Sequence, residues 1–164
     1  MKDWSLVSTD SAYLALLLDA PLQSRGFASR FQRRTTGLHP TKSGVVGLIC
    51  AAMGLAKGSA EEQEDLPNLA KLAMTSIAMP RHAVRRMEDF HTVLNTRRAS
   101  GKMNNDPVVT RRQYLFDARF GVILAGDSML LQRVSAALQD PVWVFPTRVG
   151  MVRAFDHGRC ILKI

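Results

Sequence analysis

Residues 89–124 most restrict the possible folds, because they place a cationic, turn-rich insertion between two strand-like segments. Gly101 and the pair Asn104-Asn105 are turn-forming residues in the middle of this stretch. Three cations lie beside that turn: Arg97, Arg98 and Lys102. The pattern predicts a β-hairpin with a basic tip.

The return limb of this hairpin alternates cations with aromatic residues. The cations are Arg111, Arg112 and Arg119, and the aromatic residues are Tyr114, Phe116 and Phe120. Cations neutralise phosphates, and aromatic rings stack on bases. A solvated hairpin without a ligand is the alternative, since Lys and Arg ordinarily lie on the surface. We favour nucleic-acid binding.

The charge of the whole chain points to the same class of partner. It has 22 Lys and Arg residues against 14 Asp and Glu in 164 residues, a formal net charge of +8 and a pI of about 10.2. Such a field favours polyanions. With 46% hydrophobic residues the chain can bury a core, and its length predicts one domain spanning residues 1–164.

Several other classes of protein are not indicated. Cys50 and Cys160 are far apart and lack a CxxC or cysteine-histidine spacing, so we predict no metal, no disulfide framework and no cofactor. The longest apolar run, Val45–Ala56, is shorter than the roughly 20 residues needed to span a bilayer. We therefore expect a cytoplasmic protein that has no membrane partner.

The order of elements follows from apolar periodicity and from Pro and Gly punctuation. The predicted elements are a strand at 13–18, a basic loop at 23–42, a helix at 41–53, surface helices within 59–73, a strand at 74–79, a strand at 118–125, a helix at 127–138 and a last strand at 142–149. This alternation predicts an α+β fold.

The start of the first helix carries Thr41, Lys42 and Ser43. A phosphate-binding loop needs Gly immediately before the Lys, and this chain has Thr there, so nucleotide hydrolysis is not predicted. Free backbone N–H groups and these three side chains are suited to an RNA phosphate. A routine helix cap explains the same residues.

His91 is the histidine embedded in the hairpin, and Asp89 lies two residues before it. On a strand the two side chains share a face, which allows a histidine-carboxylate pair. A positioned His can act in RNA cleavage. We keep a metal-independent endoribonuclease using His91 and Tyr114 as the alternative to a noncatalytic RNA binder.

Three sequence blocks are more specific than these physical patterns. They are LALLLDAPLQSRG at 14–26, PTKSGVVG at 40–47, and DFHTVLN with TRRQYLFDARFGVIL inside 89–124. Together they resemble the CasD family of type I-E CRISPR Cascade subunits over residues 13–143. The resemblance implies a ferredoxin-like, RNA-recognition-type core of the RAMP superfamily, with residues 79–117 as a protruding basic β-hairpin thumb.

The resemblance also implies a function. Such a protein is a noncatalytic scaffold that grips the 5′ handle of CRISPR RNA and caps one end of the Cascade effector in antiviral defence. The implied partners are CRISPR RNA, a CasC-like backbone subunit, a CasA-like large subunit, other Cascade subunits and, through the assembled complex, target DNA. CasE cleaves RNA in type I-E, but a related subtype uses its CasD-like protein as the endonuclease that processes precursor CRISPR RNA.

The basic segments and the resemblance together give the candidate residues. The RNA-binding candidates are Gln23, Arg25, Arg33, Arg34, Thr41, Lys42, Ser43, His91, Arg111, Arg112 and Tyr114, and the partner-binding candidates at the thumb tip are Arg97, Arg98 and Lys102. Arg25 stands where the family usually has Trp, so we expect a phosphate contact there in place of stacking. The tail at 144–164 departs from the family pattern.

Overall fold

A computed structural model describes residues 12–30, 32–79, 84–104, 106–143, 155–156 and 159–160. The architecture is mixed α+β, as predicted. Among these residues the helices are α1 (Lys42–Met53), α2 (Ala60–Lys71) and α3 (Ser128–Gln139). The strands are β1 (Ala12–Asp19), β2 (Leu22–Gln23), β3 (Gly26–Arg30), β4 (Arg33–Thr36), β5 (Ala73–Ala78), β6 (Arg85–Val93), β7 (Thr96–Arg97), β8 (Met103–Asn104), β9 (Val108–Phe116), β10 (Arg119–Gly126), β11 (Phe155–Asp156) and β12 (Arg159–Cys160).

The first sheet has the order β12-β11-β1-β10-β5, and its paired strands are antiparallel. Alternate residues of β1 are buried, including Leu14 and Leu16. Leu14 pairs with Leu124 and Leu16 with Val122, and both partners on β10 are also buried. One face of this sheet therefore lies on the core, as the period-two alternation of side chains requires.

Helices α1 and α3 bury their apolar sides in the same core, through residues such as Ile49 and Val134. Thr41 caps the start of α1, and Gly54 ends it at φ 74°, a left-handed conformation that Gly adopts without steric cost. Asp127 caps α3 by accepting a hydrogen bond from the Leu130 N–H at 2.8 Å. These boundaries confirm both predicted helices.

Helix α2 is a surface helix, as predicted. Leu69 is its buried residue, and Ser59 caps its start. A bidentate ion pair joins α2 to α3. The Arg133 guanidinium donates to the two carboxylate oxygens of Asp65 at 3.0 and 2.8 Å. These bonds raise the pKa of Arg133. The contact fixes α2 against the helical layer.

The second sheet is built around β9. Along one edge β9 pairs with β6 over nine residues, from Arg85 opposite Phe116 to Val93 opposite Val108. It also pairs with β2 in antiparallel and with β4 in parallel orientation, and β4 pairs with β3. Beyond the β6–β9 ribbon, the short pair β7–β8 continues the hairpin. An antiparallel ribbon therefore spans residues 85–116, whereas Arg119 and Phe120, which were predicted on the return limb of a hairpin, belong to β10 of the first sheet.

One predicted element was wrong, and another is only partly described. The segment 23–42 was predicted to be a basic loop, but half of it lies in β2, β3 and β4. The sequences of β2 and β4 have no apolar alternation, and Arg33 and Arg34 of β4 are exposed, so their pairing with β9 depends on backbone hydrogen bonds rather than on a buried apolar face. The predicted strand at 142–149 begins with bends at 142–143, and the rest of it lies outside the described residues, as does most of the 144–164 tail.

Candidate nucleic-acid interface

The parallel pairing of β4 with β9 brings two basic segments together. Arg33 lies opposite Arg111, and Arg34 lies opposite Arg112. The carbonyl of Gln32 accepts a hydrogen bond from the Arg111 N–H at 2.8 Å. Segments that are well separated in sequence therefore form one cationic band across the ribbon.

The arginines of this band alternate between the two faces of the sheet. Residues directly opposite one another on paired strands project to the same side, and successive residues on a strand project to opposite sides. Asp89 is opposite Arg112, and Phe90 is opposite Arg111. We call the two sides the His91 face (Arg34, Asp89, His91, Arg112 and Tyr114) and the Phe90 face (Arg33, Glu88, Phe90, Arg111 and Gln113).

The His91 face holds a small hydrogen-bonded cluster. His91 Nε2 lies 3.0 Å from Asp89 Oδ2 and 3.5 Å from the Tyr114 hydroxyl. The predicted histidine-carboxylate pair is therefore confirmed. Arg112 donates through Nε to the Thr110 hydroxyl at 3.4 Å. This face combines cations with groups that can exchange a proton.

The Phe90 face was not singled out by the sequence analysis. Phe90 is 59% exposed, and the Arg111 guanidinium carbon lies 5.3 Å from the centroid of its ring. Glu88 accepts hydrogen bonds from Arg33 at 3.4 Å and from the Gln113 amide at 3.3 Å. The signal in the sequence was an aromatic residue next to the Asp89–His91 pair, on the outgoing limb of the hairpin.

Phe120 differs from the exposed aromatic residue that the sequence suggested. It belongs to β10, in the first sheet, and is 2% exposed. The Arg25 guanidinium carbon lies 5.4 Å from its ring centroid, and the His39 ring lies 6.0 Å away. The prediction that Phe120 stacks on a base was wrong, because strand β10 directs this ring into the core.

Gln23 and Arg25 are engaged inside the fold. Gln23 is 6% exposed, and its amide donates to the backbone carbonyls of Ala118 and Ala20. Arg25 donates to the Gln23 side-chain oxygen and is half-buried over Phe120. Burial lowers the pKa of Arg25. Both residues lie next to the junction of the two sheets, and their contact with RNA stays a prediction.

The start of α1 forms a second location for predicted site residues. The Thr41 hydroxyl accepts a hydrogen bond from the Gly44 N–H at 3.2 Å and lies 3.4 Å from the Ser43 hydroxyl. Lys42 Nζ donates to the Ala70 carbonyl at 2.6 Å, which connects α1 to the end of α2. Lys42 and Ser43 are exposed. Their contact with an RNA phosphate also stays a prediction.

The three predicted tip cations, Arg97, Arg98 and Lys102, are all exposed. The Arg98 N–H donates to the Lys102 carbonyl at 2.9 Å, and the Arg98 guanidinium donates to the Asn104 amide oxygen at 2.8 Å. Gly101 closes the turn at φ 79°. Backbone hydrogen bonds therefore hold this turn in shape, and its charges face solvent.

Across residues 12–143 with their gaps, and the four residues after them, no group of three or more His, Cys, Asp and Glu side chains is arranged to hold a metal ion. No helix in that part of the chain has the length and apolar character needed to cross a membrane.

Comparison with known proteins identifies the class to which this fold and basic ribbon belong. Residues 13–150 match the family described as CRISPR-associated protein (Cas_Cas5). The chain is 32% identical over 171 aligned residues to the CRISPR system Cascade subunit CasD of Escherichia coli strain K12, covering 93% of this chain and 76% of that protein.

Two solved structures are also similar. A chain of a CRISPR RNA-guided surveillance complex aligns with a TM-score of 0.63 and 29% identity, covering 80% of this chain and 55% of that one. A chain in a crystal structure of a Cas protein aligns with a TM-score of 0.56 and 33% identity, and the alignment covers 85% of this chain and 56% of that one. The chain thus spans a little over half the length of these solved relatives.

The molecule is therefore an α+β CRISPR-associated protein. It belongs to the Cas_Cas5 family, and the predicted resemblance to CasD is confirmed.

Proposed function

We propose that this protein is a noncatalytic subunit of a Cascade-type, CRISPR RNA-guided complex. It binds the 5′ handle of CRISPR RNA and caps one end of the complex backbone in antiviral defence in the cytoplasm. The proposal is supported by family membership and by the similarity to CasD and to a chain of a surveillance complex.

The order of elements supports a ferredoxin-like core for this role. Leaving out the strands of the second sheet, the β7–β8 pair and β12, the chain runs β1, α1, α2, β5, β10, α3, β11, and the sheet order within that set is β11-β1-β10-β5. A strand-helix-strand-strand-helix-strand order is what a ferredoxin-like fold requires, so it supports this part of the proposal. The ribbon between β5 and β10 then stands where a thumb at 79–117 is expected.

The arginine band carries the RNA-binding proposal. Two pairs, Arg33 with Arg111 and Arg34 with Arg112, concentrate four positive charges at one level of the ribbon. Glu88 and Asp89 of β6 lie near two of these arginines and offset part of the charge, and phosphates are the further anions that a chain of net charge +8 attracts. An extended RNA strand can place successive phosphates along this band.

The basic tip supports the proposed protein contacts. Arg97, Arg98 and Lys102 are exposed and lie beyond the arginine band. We propose that this tip contacts a CasC-like backbone subunit and the guide, and that another surface contacts a CasA-like large subunit. Other Cascade subunits and target DNA then associate through the assembled complex.

The experiment that tests RNA binding compares two variants of equal charge change. Arg34→Ala with Arg112→Ala removes two cations of the His91 face. Lys57→Ala with Lys71→Ala removes two exposed cations near α2. Binding of each variant to a CRISPR repeat RNA is measured against salt concentration. We expect only the arginine variant to lose affinity. Its slope of log affinity against log salt should be less steep by about 1.4 if each arginine neutralises one phosphate.

Equal losses in the two double variants would show that net charge, rather than this band, governs binding. Unchanged affinity in the arginine variant would remove the band from the interface.

The cluster on the His91 face favours a second candidate function, a repeat-specific endoribonuclease. His91 lies within reach of both Asp89 and Tyr114, so a carboxylate orients an imidazole that can accept a proton from a 2′-hydroxyl. Purified protein is incubated with repeat RNA in the presence of a metal chelator. Site-specific cleavage that is lost in both His91→Ala and Tyr114→Phe would establish the enzyme and contradict the noncatalytic proposal.

A further inference from the structure

Phe90 is an exposed aromatic ring beside the cation Arg111. Its side chain lies on the face of the ribbon opposite His91, and 59% of its surface is accessible. The Arg111 guanidinium lies over the ring, and Arg33 is opposite Arg111 on the neighbouring strand. An exposed apolar side chain alone needs no explanation, but an exposed ring flanked by an arginine is a stacking surface next to a cation that can hold a phosphate.

The surroundings of Phe90 hold this surface in a defined geometry. The cation–π contact at 5.3 Å restricts the ring and the Arg111 side chain together. The carboxylate of Glu88 accepts hydrogen bonds from Arg33 and Gln113, which directs the Arg33 side chain along the same face. The backbone N–H of Phe90 donates to Asp89 Oδ1 at 2.8 Å. Less conformational entropy is therefore lost when a ligand binds.

We propose that Phe90 and Arg111 form a stacking site for one unpaired nucleobase of a bound RNA strand. The base lies against the accessible surface of the Phe90 ring, and Arg33 and Arg111 neutralise the adjacent phosphates. This inference rests on the proposed RNA-binding function and deepens it, because it assigns a base contact to the face of the ribbon that does not carry His91.

The charge of the site favours a nucleic acid over an apolar protein segment. Burying Phe90 against an apolar partner would also desolvate Arg111, which is costly for an unpaired charge. A nucleotide supplies both a flat ring and an anion. Val109 lies two residues before Arg111 on β9 and is exposed on the same face. It extends the apolar surface next to the ring.

The test measures binding of the full chain to twelve-residue RNA oligomers at several salt concentrations. One oligomer contains adenosines only, and a second contains abasic riboses only. We expect Phe90→Leu to bind the adenosine oligomer about 5- to 100-fold more weakly, since one stacked base is lost. The slope against salt should not change, because no charge is removed. Phe90→Tyr should bind as the wild type does.

Val93→Ala is the matched control, because Val93 is an exposed apolar residue of β6 on the opposite face. We expect it to bind the adenosine oligomer normally. The abasic oligomer should bind the wild type and Phe90→Leu equally, since neither protein has a base to stack. This comparison also removes any effect of Phe90→Leu on folding, which would weaken binding to both oligomers.

The outcomes separate this inference from the proposed function. If the wild type shows no salt-dependent RNA binding, the proposed function fails. If the wild type binds with the expected slope and Phe90→Leu binds the adenosine oligomer equally well, the stacking site is wrong and RNA binding stands. If Phe90→Leu leaves RNA affinity unchanged but prevents association with the other subunits, Phe90 is a protein contact and the stacking site is also wrong.

Discussion

At the scale of single residues, Gln23 shows how a polar side chain that was predicted to contact RNA can stabilise the fold. Its buried amide satisfies two backbone carbonyls, those of Ala20 and Ala118, and its oxygen accepts from Arg25. Buried carbonyl groups without partners are costly. Gln23 therefore holds the turn after β1 against the start of β10, independently of any contact with RNA.

We expect Gln23→Ala to lower the free energy of unfolding by about 1–3 kcal/mol, because both carbonyls lose a donor in a buried place. Gln63→Ala, at an exposed position of α2, is the control and should change it by no more than about 0.5 kcal/mol. Urea unfolding followed by circular dichroism measures both. Equal stability of the two variants would mean that water or a neighbouring group replaces the Gln23 amide.

At the scale of elements, the ribbon divides into a part that the sheet supports and a part that extends past it. The part near Phe116 is joined by β2 and β4, whereas the tip is held by the β7–β8 pair and its turn. Charges at the tip are exposed, and none of the three tip cations belongs to the hydrophobic core. Stability and assembly should therefore respond differently to changes there.

We expect the triple variant Arg97→Ala, Arg98→Ala, Lys102→Ala to change the free energy of unfolding by no more than about 0.5 kcal/mol per site, since exposed charges contribute little to folding. Its association with the neighbouring subunits should fall much further, because several charge-assisted contacts are lost together. Unfolding curves and co-purification of the complex measure the two effects. A folded variant that assembles normally would contradict the role proposed for the tip.

At the scale of the whole molecule, charge and fold act together. In the proposed function, the net charge of +8 attracts RNA from a distance, and the arginine band across the second sheet holds its phosphates. Few base edges are read by such a surface, so the isolated protein should discriminate weakly between RNA sequences. In the proposed complex, selectivity for the 5′ handle then depends on the neighbouring subunits.

We expect log affinity for single-stranded RNA to fall against log salt with a slope of about −3 to −4, corresponding to about four to six phosphate contacts. Fluorescence anisotropy with a labelled repeat RNA across salt concentrations measures this slope. A flat response would show that phosphates do not dominate binding.

Local sequence determined the elements whose signals lie within one segment. Alternating burial in β1, the capped apolar repeat of α1 and the Asp127 cap of α3 depend on near neighbours, and their predicted boundaries agree with the structure. The basic turn of the hairpin was likewise readable, since Gly101 and its flanking cations are adjacent.

Only the tertiary structure decided which side each functional residue faces. The pairing of β4 with β9 joins segments separated by two helices and four strands, and no local pattern in their polar sequences specifies that register. That register places Arg33 and Arg111 on one face and Arg34 and Arg112 on the other. The register of β6 against β9 places the exposed Phe90 on the face of Arg111, whereas Phe120 on β10 is buried. Because side chains alternate along a strand, a one-residue change in pairing would have exchanged the faces.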